Sequence, residues 1–485
     1  MRNILFVASE CYPFIKTGGL ADVVGALPKS LDKDKYDVRV IIPNYKCIPW
    51  EYRQHFQYVH HFYMDLGHKY THVHVGIMTY VHEGITYYFI DNEEYFSGDK
   101  PYGDLRWDIE KFCFFSKAAL AILPVINFKP DIIHCHDWQA ALVPVYLRTL
   151  YRYNEFFYGT KVILTIHNLK FQGVWDIKTF RYLTGLPDEV FYLGKMEYKR
   201  EANMLKGGIV YCDYLTTVSH TYAGEIQNDY YGEGLDGVIR DYNNKLCGIV
   251  NGIDYNVYNP EGDIQIFKNY NKDDFKKNKS VNKTELQKQL GLPVDENKMM
   301  IGLISRLTDQ KGLDLINWVM GGIPDDNVQF VIVGTGDERY ENMFKKYAWD
   351  YRDRVSANIY YSDNLAHKLY AAADAMLVPS KFEPCGLTQL IALRYGTVPI
   401  VRETGGLKDT IIPYNEYENS GTGFTFSNYN ADEMLRTINY AKHEYFVNRD
   451  KWDDMVKRDL EEDFSWEVQA KEYQDLYEKV INNWY

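Results

Sequence analysis

Short apolar, β-branched runs recur along the chain, and each is followed by a turn and a stretch whose apolar residues return every third or fourth position. That alternation predicts parallel strands joined by helices that cover both faces of a sheet. In the first half the runs are Ile4–Ala8, Val38–Ile42, Tyr87–Ile90, Ile132–Cys135, Val162–Ile166 and Leu215–Val218. In the second half they are Met300–Ser305, Gln329–Val333, Asn358–Tyr361, Ala375–Val378 and Val398–Val401. Between the two sets lie Gly248–Pro260 and a Lys/Asn/Asp-rich stretch from Gly262 to Lys283 that reads as an exposed excursion. The pattern predicts two separately wound α/β domains, residues 1–248 and 249–464. A terminal helix, 465–485, follows. Ser465 offers its N-cap, and Trp466, Ala470, Tyr473, Tyr477, Val480, Ile481 and Trp484 form an apolar stripe expected to pack back on the first domain.

A chain of 485 residues is too long for one core and fits two to four domains. Its net charge of −13 leaves no surplus of cations for phosphate backbones, so nucleic acid is not expected as a partner. The 7 cysteines are scattered and never form C-x-x-C, the usage of a reduced intracellular protein. The apolar start, Ile4 to Ser9, is too short for a secretory segment. The longest apolar stretch, Ala118–Phe128, contains Pro124 and falls well short of the roughly 20 residues that span a bilayer. A cytoplasmic protein with no membrane partner is expected.

Three glycine-bearing turns carry candidate chemistry. Lys16-Thr17-Gly18-Gly19-Leu20 follows the first strand and opens a helix, where bare backbone can approach an anion under a nearby cation. Ser305-Arg306-Leu307-Thr308-Asp309-Gln310-Lys311-Gly312 ends the first strand of the second half and offers a planar fork and a point charge, a pair suited to a departing diphosphate. Lys381 to Gln389, K-F-E-P-C-G-L-T-Q, sets Glu383 beside a helix start whose Gly386, Leu387 and Thr388 N–H groups can face a phosphate. Cys385 has no local histidine partner and reads as a buried small side chain. The string T-G-G-L-x-D occurs at Thr17–Asp22 and again at Thr404–Asp409, in keeping with two sheets that each bring a glycine turn to their strand ends.

His134-Cys135-His136-Asp137 and Thr165-Ile166-His167-Asn168 also sit at strand ends. Residues two apart share a strand face, so H-x-H could hold a metal, but no third ligand is evident and none is expected. The D-x-D at Asp32-Lys33-Asp34 reads as a polar helix end.

Taken together these strings resemble the bacterial glycogen synthase and plant starch synthase family. The collinear matches include residues 8–28, 134–142, 165–173, 251–260, 305–312, 378–410 and 421–426, and they cover the chain from end to end. The resemblance implies two Rossmann-like, doubly wound domains facing across a cleft, the GT-B architecture, with the second domain binding the nucleotide sugar. It implies a retaining glucosyltransferase that moves glucose from ADP-glucose to the non-reducing 4-hydroxyl of an α-1,4-glucan, without a cofactor. A UDP-sugar-dependent transferase of the same architecture and a non-catalytic glucan- or nucleotide-binding homologue are the alternatives. On the family's pattern Lys16, Gly18 and Gly19 hold the donor pyrophosphate, Arg306 and Lys311 neutralise the leaving diphosphate, and Glu383 is the catalytic carboxylate. Cys385, Gly386, Leu387 and Thr388 form the loop around it. His167 and Asp137 line the glucose pocket with Asn168 and Asn251, and Tyr361 stacks on the base. Related transferases carry a second acid where this chain has Ile391, which speaks against a two-carboxylate mechanism. With sites in both domains, closure over the donor is expected, hinged near Gly248–Asp254 and Phe464-Ser465.

Overall fold

The computed structural model describes residues 1–68 and 70–483. The chain forms two compact units, Met1–Asn251 with Trp466–Tyr485, and Gly252–Ser465. The first unit continues past residue 248 because the Ile249 N–H still bonds to the Thr217 carbonyl beyond the strand end.

The strands of the first unit are β1 (Arg2–Val7), β2 (Tyr36–Pro43), β3 (Gln57–Leu66), β4 (Tyr70–His82), β5 (Ile85–Asp91), β6 (Ile132–His136), β7 (Lys161–Ile166), β8 (Val174–Asp176), β9 (Glu197–Tyr198), β10 (Glu201–Asn203), β11 (Tyr214–Thr217) and β12 (Leu246–Gly248). The main sheet has the order β12-β11-β7-β6-β1-β2-β5-β4-β3. It is parallel from β12 to β5, and β4 and β3 add an antiparallel hairpin at one edge. The central strands are continuous apolar runs because helices cover both faces, and Ile4, Leu5, Phe6 and Val7 are all fully buried. The hairpin was not expected: β3 is exposed along most of its length and carries no alternation of apolar and polar residues to betray it.

The second unit holds β13 (Met299–Ile304), β14 (Val328–Val333), β15 (Val355–Asn358), β16 (Ala375–Val378), β17 (Val398–Arg402) and β18 (Phe424–Phe426), all parallel, in the order β15-β14-β13-β16-β17-β18. β15 ends where the sequence placed its start, because Ser362 caps the next helix, Asp363–Ala372, and leaves Ile359 to Tyr361 to the connecting loop. The stretch from Gly262 to Lys283 is an exposed excursion only in its first part: residues 262–274 form no helix or strand and are mostly exposed, with Asp263, Ile266 and Tyr270 buried. From Phe275 onward it is the helix Phe275–Leu290, two of whose lysines, Lys279 and Lys283, work as internal fasteners. Lys279 donates to the Tyr395 carbonyl at 3.0 Å and to Thr397 Oγ1 at 2.9 Å, and burial pushes its amine down to about 7. Lys283 pairs with Asp374 at 2.7 Å.

The terminal helix, Trp466–Ile481, belongs to the first unit. Its Trp466, Ala470, Tyr473, Tyr477 and Val480 are buried. Polar contacts set its register: Tyr477 OH lies 2.9 Å from His134 Nδ1, Glu478 accepts from Tyr36 OH at 3.1 Å, and Lys479 donates to Tyr214 OH at 2.9 Å. Trp484 lies outside the described residues. Among the described residues no helix is long and apolar enough to cross a membrane.

Candidate active site

In the first unit the candidates gather at the C-terminal edge of the sheet around β1, β6 and β7, where the strand order reverses and an open parallel sheet presents its loops. The loop leaving β1 reaches the helix Gly19–Ser30 through an extended Gly18. A Cβ at Gly18 would meet no atom within 4 Å, so packing does not demand this glycine and the space over the helix start is open. Lys16 reaches forward to Asp22 at 2.7 Å, which holds the cation beside that helix start. Behind the loop sits a carboxylate that the sequence reading passed over. Glu10, 4% exposed, accepts from the N–H and hydroxyl of Thr17 and from Tyr102 OH. Its one signal is an acid placed directly after a buried apolar run.

Asp137 opens the turn after β6 with φ +57°, a left-handed conformation that costs a non-glycine residue about 1–2 kcal/mol. That geometry aims Oδ1 at the end of β7, where it accepts from the backbone N–H of His167 at 2.7 Å and of Asn168 at 3.5 Å. Burial pushes the Asp137 carboxyl up to about 7 against the pull of those two N–H groups, and nearby Glu10 adds to the rise. His167 Nε2 stands 3.0 Å from His136 Nδ1. Both nitrogens of His134 are taken, by Tyr477 OH at 2.9 Å and Thr165 Oγ1 at 2.6 Å. Burial pushes His134 and His167 down to about 3 and lowers His136 well below its usual range, so the three rings are neutral at pH 7. Asn251, the last residue of this stretch, is buried, and its Oδ1 has no hydrogen-bond partner among the described residues. No group of three His, Cys, Asp or Glu side chains among the described residues is arranged to hold a metal ion.

The second unit builds its site at the ends of β13 and β16. After β13 the chain turns through Gly312, φ +69°, where a Cβ would lie 2.0 Å from the Pro379 carbonyl oxygen. Only glycine permits that approach, and it brings Lys311 to Glu383: Nζ donates to Oε2 at 2.7 Å. Ser380, fully buried, donates to the same oxygen at 2.8 Å. Oε1 accepts no hydrogen bond among the described residues and is not sealed from solvent. Gln310 ties the two loops together, accepting from Lys381 N–H at 2.8 Å through its carbonyl and donating to the Phe382 carbonyl at 3.2 Å. Beyond Glu383 the chain passes through Gly386, φ +76°, into the helix Thr388–Arg394. Gln389 caps the Cys385 and Gly386 carbonyls at 3.1 and 2.9 Å, and Cys385 is buried. The backbone N–H groups of Gly386 and Leu387 find no acceptor among the described residues. The Arg306 side chain is exposed and has no ionic partner among them. Tyr361, 77% exposed, stands directly before the Ser362 cap.

Each unit thus collects its own set. Asp137, His167 and Asn168 meet in the first, near the loop that carries Lys16, Gly18 and Gly19; Lys311, Glu383, Cys385, Gly386, Leu387 and Thr388 meet in the second. Arg306 shares its loop with Lys311, while Tyr361 lies on a separate loop after β15. Ser380 and His136 touch this machinery directly and were not singled out for it from the sequence. Ser380 carries no spacing signal, and the H-x-H spacing of His136 points to a metal and not to His167; each acts through one partner brought close by the fold.

Residues 3–241 match the family described as starch synthase catalytic domain, and residues 282–458 match glycosyl transferases group 1. The chain is 60% identical over 480 residues to a glycogen synthase of Lachnospira eligens, covering 99% of this chain and 100% of that one, and 57% identical, with the same coverage, to a glycogen synthase of Lachnoclostridium phytofermentans. Among solved structures it is similar to the catalytic domain of starch synthase IV from Arabidopsis thaliana bound to ADP and acarbose, with a TM-score of 0.91, 31% identity and 99% of each chain covered. A sucrose-phosphate synthase from Thermosynechococcus elongatus, at 16% identity and a TM-score of 0.63 over 100% of both chains, shares the fold alone.

Proposed function

The chain belongs to the glycogen synthase and starch synthase family of glucosyltransferases, with the GT-B fold, and from that premise we propose that it transfers glucose from ADP-glucose to the non-reducing 4-hydroxyl of an α-1,4-glucan with retention of configuration. The observation that carries the chemistry is the Lys311–Glu383–Ser380 cluster, a carboxylate with one oxygen pinned by two donors and the other open, beside unengaged backbone N–H groups. Arg306 and Lys311 neutralise the diphosphate as it departs, with the N–H groups of Gly386, Leu387 and Thr388 on the phosphates and Cys385 packed beneath them. Such preorganised donors act most strongly where charge develops. Lys16, Gly18 and Gly19 hold the pyrophosphate. His167, Asp137 and Asn168 line the sugar with Asn251, and Tyr361 stacks on the base. Glu383 holds the glucosyl group through Oε1 and stabilises its oxocarbenium character.

In the step itself the bond from C1 to the donor's phosphate oxygen breaks, and its electron pair leaves with ADP. The acceptor 4-hydroxyl attacks C1 on the same face and gives its proton to the departing phosphate. No second acid is required, in keeping with Ile391. Scattered free cysteines, most of them buried, suit work in the cytoplasm.

The test is turnover with ADP-glucose and UDP-glucose in the presence of glycogen. ADP release with lengthening of the outer chains, and much slower use of UDP-glucose, is the expected outcome. Preference for UDP-glucose would move the chain to the UDP-sugar transferases, and no turnover with either donor while glycogen is still bound would make it a binding homologue.

A further inference from the structure

His136 has no part in that reading, and it is the more telling of the two histidines on β6. It is the last residue of the strand, fully buried, stacked on Phe6 with ring centroids 5.4 Å apart. Its Nδ1 faces His167 Nε2 at 3.0 Å, and its own Nε2 has no hydrogen-bond partner among the described residues. Both rings are neutral, because burial disfavours their charged forms. Two neutral imidazoles in contact share one proton at the contact, so one nitrogen donates and the other accepts.

Only two arrangements exist. If His167 donates through Nε2–H, His136 must carry its own proton on Nε2, and a buried N–H is left without an acceptor. If His136 donates through Nδ1–H, the atom left over is a bare acceptor on Nε2. An orphaned buried N–H is rarer and costlier than an under-used acceptor, so the second arrangement prevails. The proton of His167 then sits on Nδ1. That nitrogen has no partner among the described residues and is not sealed from solvent. His134 cannot take over the task, since Tyr477 and Thr165 occupy both its nitrogens.

We propose that His136 is a positioning residue that fixes His167 as the Nδ1–H tautomer, so that His167 offers the glucosyl group a neutral N–H donor to a sugar oxygen and not a lone pair. The inference rests on the reading that His167 serves the sugar.

The two are separable by experiment. The amide of asparagine overlays the Nδ1 edge of histidine and that of glutamine the Nε2 edge. His167→Asn is therefore expected to keep roughly tenfold more kcat than His167→Gln, the scale of one hydrogen bond, with His167→Ala as the floor. Equal rates, or a faster Gln variant, would overturn the tautomer. A parental rate in His167→Ala would instead remove His167 from the sugar and leave the tautomer to be read spectroscopically. For that, protein with 15N-labelled histidine is examined by long-range 15N–1H correlation, the His167 signals being those lost in His167→Asn. An Nδ1–H pattern is expected, and an Nε2–H pattern refutes the assignment whatever the kinetics. His136→Leu should shift those signals toward the Nε2–H form and lower kcat roughly tenfold with little change in donor KM, and His136→Asn, which returns an N–H at the Nδ1 position, should restore both. If His136→Asn folds but restores neither, His136 does not position His167.

Discussion

Lys311→Met, Glu383→Gln and the double variant separate what the ion pair does for folding from what its members do in the reaction. The pair is 2.7 Å apart, with Lys311 at 18% and Glu383 at 9% side-chain exposure. Removing one partner of a fully buried pair costs about 3–5 kcal/mol, because the other charge is left in a poor solvent for it. Here Lys311 keeps some water and Ser380 still donates to Glu383, so about 2–3 kcal/mol is expected for Lys311→Met. For a unit of this size about 1 kcal/mol moves Tm by roughly 2–4 °C, which puts the unfolding of the second unit roughly 5–10 °C lower. The double variant buries neither charge and should recover most of that loss. Activity should behave differently. On the roles proposed above each single change removes a group that faces the reacting bond, so kcat should fall roughly 10²–10³-fold in both, and the double variant should recover none of it. Differential scanning calorimetry reads the first quantity and ADP release in the presence of glycogen the second. A Lys311→Met protein that melts with the parent would mean the pair contributes nothing to stability, and a double variant that regained activity would falsify the assignment of both side chains to the reaction.

Gly312→Ala must place a Cβ 2.0 Å from the Pro379 oxygen at φ +69°, so a loss of about 2–4 kcal/mol in stability and a large fall in kcat through displacement of Lys311 are expected; parental melting and rate would refute the close approach. Asp459 is fully buried with both carboxylate oxygens lacking hydrogen-bond partners among the described residues, and burial raises its carboxyl well above the usual range. The folded state therefore holds a proton that the unfolded chain releases near pH 4, so stability falls as pH rises from there through the folded value; Asp459→Asn should melt above the parent at pH 8, with the gap closing toward pH 4, and a constant gap would contradict this. Truncation before Trp466 strips the first unit of the buried Trp466, Tyr473 and Tyr477 and leaves His134 Nδ1 without its Tyr477 partner, so that unit should melt lower in calorimetry, and an unchanged transition would show that the helix is dispensable.

Strand runs such as Ile4–Val7 and Val328–Val333 were legible because a doubly covered parallel strand has to be apolar throughout, and that constraint is local. The β3–β4 hairpin was not, since an exposed edge strand carries no burial pattern. Charge misled in the helix Phe275–Leu290, where Lys279 and Lys283 were read as solvated. The Lys279 amine closes off the Tyr395 carbonyl at the end of a helix, and that of Lys283 takes the Lys298 carbonyl just before β13 and pairs with Asp374; Tyr395 and Asp374 come from residues far along the chain. The candidate site divides in the same way. Lys311, Glu383, Asp137 and His167 stand in strings whose spacing is itself the signal. Ser380 and His136 matter only because the fold sets each within hydrogen-bond reach of one of those groups.

The repeated T-G-G-L-x-D string shows how far a motif is read by its surroundings. In the first unit Gly18 is extended and open, with nothing near the position of a Cβ. In the second, Gly405 has φ +45° and a Cβ there would lie 2.0 Å from the Glu383 carbonyl oxygen, while one at Gly406 would lie 2.1 Å from that of Cys385. The Gly406 N–H bonds to the Glu383 carbonyl at 3.1 Å. The same glycines thus bring backbone up to a space open to a ligand in one unit, and in the other press the loop that carries Glu383 into place from behind. A side chain at Gly18 would enter open space and spare the fold; a side chain at Gly405 or Gly406 would move the carboxylate. The string specifies a helix start with bare backbone, entered through the loop of residues 8–18 in the first unit and directly after β17 in the second, and what lies against that backbone decides what the glycines do.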